Sequence, residues 1–259
     1  MSKERSVIVH YHLFKNAGSS VDQLLRQNYS NQWMAFDGET PNAIIDCIEL
    51  EKLILRETKI KAFSSHQIIP PLPDIDVNVY PIVFLRDPID RIKSAYLFEW
   101  KKQLGLDTPK GKFEDYIKEK FTHKRRNSIE EFQTIRLSNM HIDRFHNVAK
   151  ISGDELLENA QAFIQSLSFV GVVDEFDRSI DLLLEFLKPA FPEFKKSNVK
   201  ANVLQDLSLT LESKREIIRQ ELSAELYEEI LERNQMDEQL YQFGKLHFEK
   251  LIGNATKAA

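Results

Sequence analysis

The sequence predicts an α/β fold of three layers, a central parallel sheet with helices on both faces, followed by a C-terminal helical segment. Three observations predict it. An apolar, β-branched run, Val7-Ile8-Val9-His10-Tyr11, passes through a short loop into a helical pattern. A second and more apolar run, Val79-Tyr80-Pro81-Ile82-Val83-Phe84-Leu85, does the same through Arg86-Asp87-Pro88. Residues 169–173 and 176–187 then repeat the order of strand and helix. Strands that alternate with helices are joined by crossovers, and crossovers produce parallel sheets.

The first strand leads into Leu13-Phe14-Lys15-Asn16-Ala17-Gly18-Ser19-Ser20, which reads as a loop opening a helix. A helix entered in this way turns its unpaired N–H groups and the positive end of its dipole toward the loop, which favours an anion such as phosphate. Lys15 adds a mobile full charge. Ser19 or Ser20 can cap the helix, where Val21, Leu24 and Leu25 recur at helical spacing. Residues 33–36 read as a possible strand, and Gly38 with Pro41 as a turn. In 42–58, Ile44, Ile45, Ile48, Leu50, Leu53, Ile54 and Leu55 read as a well-buried helix. Residues 60–64 form a brief strand. His66 stands just beyond it, on a connection that Pro70, Pro71 and Pro73 keep out of regular helix.

Residues 79–85 are apolar enough for a central strand, with Pro81 placed near its start. Asp87 as N-cap and Pro88 as first helical residue open a helix that continues through Arg91, Ser94, Tyr96 and Trp100. Amphipathic stretches follow at 113–121 and 129–137, separated by the basic run His123-Lys124-Arg125-Arg126. Residues 155–167 read as a helix, 169–173 as a strand, and 176–187 as a strongly apolar helix ended by Pro189. Residues 211–252 are almost wholly helix-forming, with a break at Asn234. The expected organisation is one domain over 1–259, with a core at 6–190 and helices at 204–252 packed on it.

A chain of 259 residues, 42% hydrophobic and 29% charged, is long enough for one large α/β domain. A formal net charge of −5 opposes a general nucleic-acid binder, although a local basic patch can still meet an anion. Cys47 has no second cysteine to pair with, which fits a reducing compartment, and its Ile-rich surroundings make it a buried thiol rather than a nucleophile. No apolar run reaches the length needed to cross a bilayer, so the expectation is a soluble cytoplasmic protein.

In open parallel sheets such strand-to-helix junctions share the ligand edge. Arg86 at the end of its strand can fork onto a phosphate, and Ser94, two helical turns in, can approach the same anion only from the helix face toward the first loop. Two anion sites on one edge imply a ligand with two separated anionic groups. The first loop is P-loop-like without being a P-loop. The strict pattern is G-x-x-x-x-G-K-[ST], whereas Lys15 precedes the loop's only glycine and no hydroxyl follows it directly to hold Mg²⁺. That implies phosphate binding without the same metal geometry. His10 and His12 alternate along the first strand and so share a face, where they pack or hydrogen-bond rather than form a metal pair. His141 and His146 make no metal motif. Lys118, Lys120, Lys124, Arg125 and Arg126 read as a solvated face before they read as a track for an acidic glycan.

The Lys15–Ser20 loop and the segment Arg86-Asp87-Pro88-Ile89-Asp90-Arg91-Ile92-Lys93-Ser94-Ala95-Tyr96 resemble the sulfotransferase superfamily that uses 3′-phosphoadenosine 5′-phosphosulfate (PAPS). The likeness is closest to carbohydrate O-sulfotransferases with bacterial relatives, of the glycosaminoglycan 2-O-sulfotransferase kind. It is strong over 6–20 and 79–98, and looser over 169–187 and 236–248. It implies that Lys15, Asn16, Ala17, Gly18, Ser19 and Ser20 bind the 5′-phosphosulfate, and that Arg86 and Ser94 bind the 3′-phosphate. The implied reaction is in-line sulfuryl transfer to an acceptor hydroxyl, a glycan's by resemblance. It leaves adenosine 3′,5′-bisphosphate and requires no metal. Lys15, with the N–H groups of residues 17–20, would stabilise the developing charge, and His66 would be the base. Gln133, Thr134 and Arg136 resemble, with Ile135 interrupting, an element that some relatives place near the acceptor cleft. Lys195, Lys196 and Lys200 fall in a polar loop suited to closing over the nucleotide. An ATP- and Mg²⁺-dependent kinase or hydrolase stays open as an alternative, as does a non-catalytic nucleotide-binding protein. Surplus apolar surface on the C-terminal helices would allow a homodimer.

Overall fold

The computed structural model describes residues 5–40, 43–100, 105, 111–122, 128–138, 152–197 and 209–258. Among them, β1 (Ser6–Tyr11), β2 (Trp33–Ala35), β3 (Ala62–Ser65), β4 (Asn78–Leu85) and β5 (Gly171–Val172) form one parallel sheet in the order β2-β3-β1-β4-β5. Successive side chains of a strand point to opposite faces, and Val7, Ile8 and Val9 are all fully buried, so both faces of β1 are covered.

Tyr11 pairs with Ser65 on one side and Val83 on the other, and Leu85 pairs with Val172. Parallel pairing therefore brings the C-terminal strand ends to one edge, where His12, His66, Arg86 and Val173 leave the sheet. The chain builds β2 and β3 on one side of β1 and then crosses to β4 on the other. Such a reversal of strand order is where an α/β sheet opens a crevice for a ligand.

The helices are α1 (Gly18–Tyr29), α2 (Cys47–Arg56), α3 (Pro88–Phe98), α4 (Phe113–Thr122), α5 (Phe132–Leu137), α6 (Gly153–Ser166), α7 (Phe176–Leu187), α8 (Leu211–Gln220), α9 (Ala224–Glu232) and α10 (Gln235–Ala258). α1 packs on β2 and β3, while α7 and α10 pack on β5. The apolar cluster around the sheet includes Leu24 and Leu25 of α1, Leu183 of α7, and Leu240, Tyr241 and Phe248 of α10. A second cluster joins Ile89 and Ile92 of α3 to Ile117 of α4, Ile218 of α8 and Ile230 of α9. No helix among the described residues is long and apolar enough to cross a membrane.

Several elements differ from the sequence expectation, each for a local reason. α2 starts at Cys47 rather than at residue 42, because the Asp46 carboxylate caps it, accepting from the Ile48 and Glu49 N–H groups at 3.0 and 2.9 Å. Ile45, just before the cap, bridges to Ile68 instead. The helix is amphipathic rather than well buried: Leu50 and Ile54 are in the core, but Ile48 is 55% and Leu55 50% exposed. Cys47 is only partly buried, since it lies on the first turn of this surface helix. β5 keeps only Gly171 and Val172, because Val173 already begins a 3₁₀ turn, and Phe169 and Val170 enter the core outside the strand. α5 starts at Phe132 because Glu131 takes a left-handed conformation, φ 47°. Asn234 sits at the break between α9 and α10, accepting from the Glu131 N–H at 3.1 Å and donating to the Ile230 carbonyl at 3.0 Å.

Candidate active site

The loop after β1 is held in an uncommon shape. Lys15 and Ala17 both adopt left-handed backbone conformations, φ 66° and 60°, which cost a non-glycine residue on the order of 1 kcal/mol or more. Asn16 supplies the restraint. Its buried amide donates to the Phe84 carbonyl and to Gln133 Oε1, both at 2.7 Å, so its side chain ties the loop to β4 and does not line the pocket. Gln133 Oε1 also accepts from the Arg86 N–H at 3.0 Å, and its Nε2 donates to the Arg86 carbonyl at 2.8 Å. Arg86 closes the circuit, with Nε on Asp90 at 2.7 Å and Nη1 on the Lys15 carbonyl at 2.8 Å. Its guanidinium is thus part strut and only in part a fork for a ligand.

α1 begins at Gly18 without a side-chain cap. The Ser20 N–H donates to the Ala17 carbonyl at 2.9 Å, so it does not join the anion-facing set expected from the sequence; the local turn consumes it. The N–H groups of Ala17, Gly18 and Ser19 take no hydrogen-bond partner among the described residues. These are the donors that a helix N-terminus offers to an anion. Lys15, Ala17, Gly18, Ser19, Ser20, His66 and Arg86 line one open pocket, together with His12, Phe14, Phe98 and Val173. Lys15 Nζ lies over the Phe98 ring, 4.3 Å from its centroid.

Ser94 is buried on α3 and does not line this pocket. Lys200 lies outside the described residues, as do Lys124, Arg125, Arg126, His141 and His146. Lys195 and Lys196 are not at the pocket end of α1: Lys195 exchanges backbone hydrogen bonds with the Asn28 side chain at the far end of that helix, and Lys196 pairs with Asp181 at 2.5 Å. Arg91, also on α3, does not line this pocket. It is completely buried with no hydrogen-bond partner for its guanidinium among the described residues, packed over the Phe132 ring at 4.7 Å, and burial lowers its pKa to about 10. Lys118 is exposed and pairs with Glu114 at 2.6 Å, whereas Lys120 and its partner Glu99, 2.9 Å away, are partly buried.

Asp22 and the stacking of His12 on His66 form the part of the site that motif reading missed. His10 and His12 do share a face, and the ionised Asp22 carboxylate on α1 accepts from both Nδ1 atoms, at 2.7 and 2.8 Å. Burial pushes Asp22 up, but the two imidazoles outweigh it and hold the carboxyl well below the usual range. The three residues offer possible metal-ligand atoms within 4.8 Å of one another; in this geometry both carboxylate oxygens are taken by N–H donors. The His12 ring stacks on His66 with centroids 3.8 Å apart. His66 Nδ1 and N–H both meet the Asp37 carboxylate, at 3.2 and 3.0 Å, and its carbonyl accepts from Arg136. Burial lowers the pKa of His12 and of His66, and His12 lowers that of His66 further. Both rings therefore stay neutral near pH 7, each with Nδ1–H donated to a carboxylate and Nε2 left as an acceptor. The available signal was Asp22 itself, one turn into the helix that folds back beside β1.

A family model described as the sulfotransferase family matches residues 1–244. An uncharacterized protein of Archaeoglobus fulgidus is 31% identical over 251 residues, covering 92% of this chain and 95% of that protein. The match takes in every strand and both junctions that build the pocket, and the chain belongs to the sulfotransferase family.

Proposed function

We propose that the protein transfers a sulfuryl group from PAPS to an acceptor hydroxyl, carbohydrate being the acceptor class, with Lys15 and His66 as catalytic residues. The observation that carries this reading is that one pocket presents both a cationic helix-opening loop and a neutral, carboxylate-held histidine. The N–H groups of Ala17, Gly18 and Ser19 and the Lys15 ammonium fit the 5′ anion. The ammonium's contact with the Phe98 ring is worth about 0.5–1 kcal/mol, against about 1.5–3 kcal/mol for a charged hydrogen bond to phosphate. Arg86 and Ser94 are assigned to the 3′-phosphate and Lys200 to a covering loop, on the resemblance of their segments.

In the reaction, the acceptor oxygen forms a bond to sulfur as the bond from sulfur to the bridging phosphate oxygen breaks. His66 Nε2 takes the hydroxyl proton, and adenosine 3′,5′-bisphosphate leaves. Negative charge accumulates on the bridging oxygen, where Lys15 and the helix N–H groups stabilise it by electrostatic preorganisation. Lys15 carries the positive charge that a kinase shares with a metal, so the reading needs none.

The test is binding and turnover with PAPS, ATP and adenosine 3′,5′-bisphosphate, with and without chelator. Tight, chelator-insensitive binding of the bisphosphate is expected, and a preference for ATP with Mg²⁺ would sink the assignment. Lys15→Ala should abolish transfer. His66→Ala should lower kcat by about 10²- to 10⁴-fold while bisphosphate binding stays near that of the parent. Transfer at full rate by His66→Ala would remove His66 as the base.

A further inference from the structure

We infer that His12 is a positioning residue for this reaction: clamped by Asp22, it acts as a titratable wall that fixes the ring plane of His66 and keeps that ring ready to accept a proton. The inference rests on the reading of His66 as the base. His66 needs such a wall, since its side chain is 49% exposed on the loop after β3 and, among the described residues, its ring is otherwise tied only by a 3.2 Å contact with Asp37, itself 45% exposed. A tether of that kind leaves the ring free to swing about its own bond. The stacking distance of 3.8 Å removes this freedom only if the opposing ring is itself fixed.

His12 is fixed on three sides. Its Nδ1 donates to Asp22 at 2.8 Å, and its ring stacks on His10, centroids 5.2 Å apart, with His10 held by the other oxygen of the same carboxylate. Its Cδ2–Nε2 edge lies so close to Gly18 that a Cβ there would fall 2.0 Å from Cδ2. That edge is where a helix-opening glycine, with no side chain, admits an imidazole.

The wall is also a titratable one. Two imidazoles face to face cannot both carry charge at low cost, so each opposes protonation of the other. The other titratable and charged groups around the pair are His10 on β1, Asp22 on α1, Asp37 after β2, Lys15 after β1, Arg86 after β4 and Arg136 on α5. The two carboxylates favour protonated rings and the three cations disfavour them. His12 is the group in ring contact with His66.

The test uses two variants of the full-length protein, because each removes a different part of the wall. His12→Asn keeps a donor for Asp22 and loses the ring, whereas His12→Phe keeps a ring and loses both the donor and the capacity to take up a proton. Bisphosphate binding within a few-fold of the parent shows that the pocket is folded. In protein carrying ¹³Cε1-histidine, with the resonance assigned by its absence in His66→Gln, the His66 titration midpoint should rise by about 0.5 unit or more in both variants. The acid limb of the kcat profile should move up by the same amount. A His66 midpoint unmoved in both variants overturns the inference, and so does loss of activity at every pH with that midpoint unchanged, which would make His12 a group that touches the reactants. A midpoint that moves while the acid limb stays in place upholds the coupling of the rings and overturns His66 as the base.

Discussion

Gly18 and the histidine pair show how much the site depends on single atoms. A methyl group at Gly18 would lie 2.0 Å from the His12 ring, whose departure would break its bond to Asp22. Gly18→Ala should therefore destabilise the protein by about 1–3 kcal/mol in urea unfolding, well beyond the small gain that alanine brings to a first helical turn. An unchanged midpoint would mean that the ring yields freely. The histidines also set a pH dependence. Burial lowers His12 and His66 below their ordinary value of 6.5, so as pH falls through 6.5 the unfolded chain binds protons that the folded chain does not. Thermal stability should be flat above about pH 7.5 and fall between 6.5 and the lowered folded values, with a shallower fall in His12→Phe. Asp22, held low, adds stability that is complete above 3.8 and is lost only at more acid pH. A Tm that rises on acidification from pH 7 to 5.5 would contradict this.

At the scale of elements, α5 joins the site to the C-terminal helices. It is only six residues long, and its N-terminus is capped from outside: Asp237 of α10 accepts from the Gln133 and Thr134 N–H groups at 3.1 and 2.7 Å. Glu131 returns the favour, accepting from the Met236 and Asp237 N–H groups at 3.0 and 2.7 Å. Two helix N-termini thus hold each other through carboxylates, the favourable arrangement for their dipoles. The result is that Gln133 reaches the end of β4, where it meets Asn16 and both backbone groups of Arg86. Gln133→Leu keeps the size and strands these groups. A loss of about 2–4 kcal/mol in stability is expected, together with weaker bisphosphate binding, measured by urea unfolding and calorimetry. Binding at parental strength would show that the loop keeps its shape without the amide.

For the whole molecule, the sheet and α10 share one apolar cluster, while α8 and α9 pack with α3 and α4 in a second. Phe248, on α10, is fully buried against the sheet, far in sequence from any residue of the site. Phe248→Ala should cost about 3–5 kcal/mol. If α10 folds as a separate unit, the loss will appear as a second unfolding transition; if it is continuous with the sheet, a single transition will shift to lower denaturant. The packing favours the single transition, since Leu240, Tyr241 and Phe248 occupy the same cluster as β1 and β4.

The alternation of strands and helices, the two strand-to-helix junctions and the cationic loop were all legible in order along the chain, because each is a local pattern of side-chain period and capping chemistry. Lys15, the loop after it and Arg86 came from such patterns and do meet at one pocket. Local patterns were also where reading failed: the apolar density of α2 concealed two exposed residues, and the basic charge of Arg91 gave no sign that it would be buried with no hydrogen-bond partner among the described residues. Only the tertiary structure joined His12 to His66, Asp22 to both strand histidines, and Asp237 to α5, contacts that cross 54, 10 to 12, and 103 to 104 positions. Periodicity tells which face a residue occupies and says nothing of what a second element will bring against it. The pairing of β1 with β3 and β4, and the helices packed across them, decided which carboxylates hold the histidines and which histidine faces the pocket.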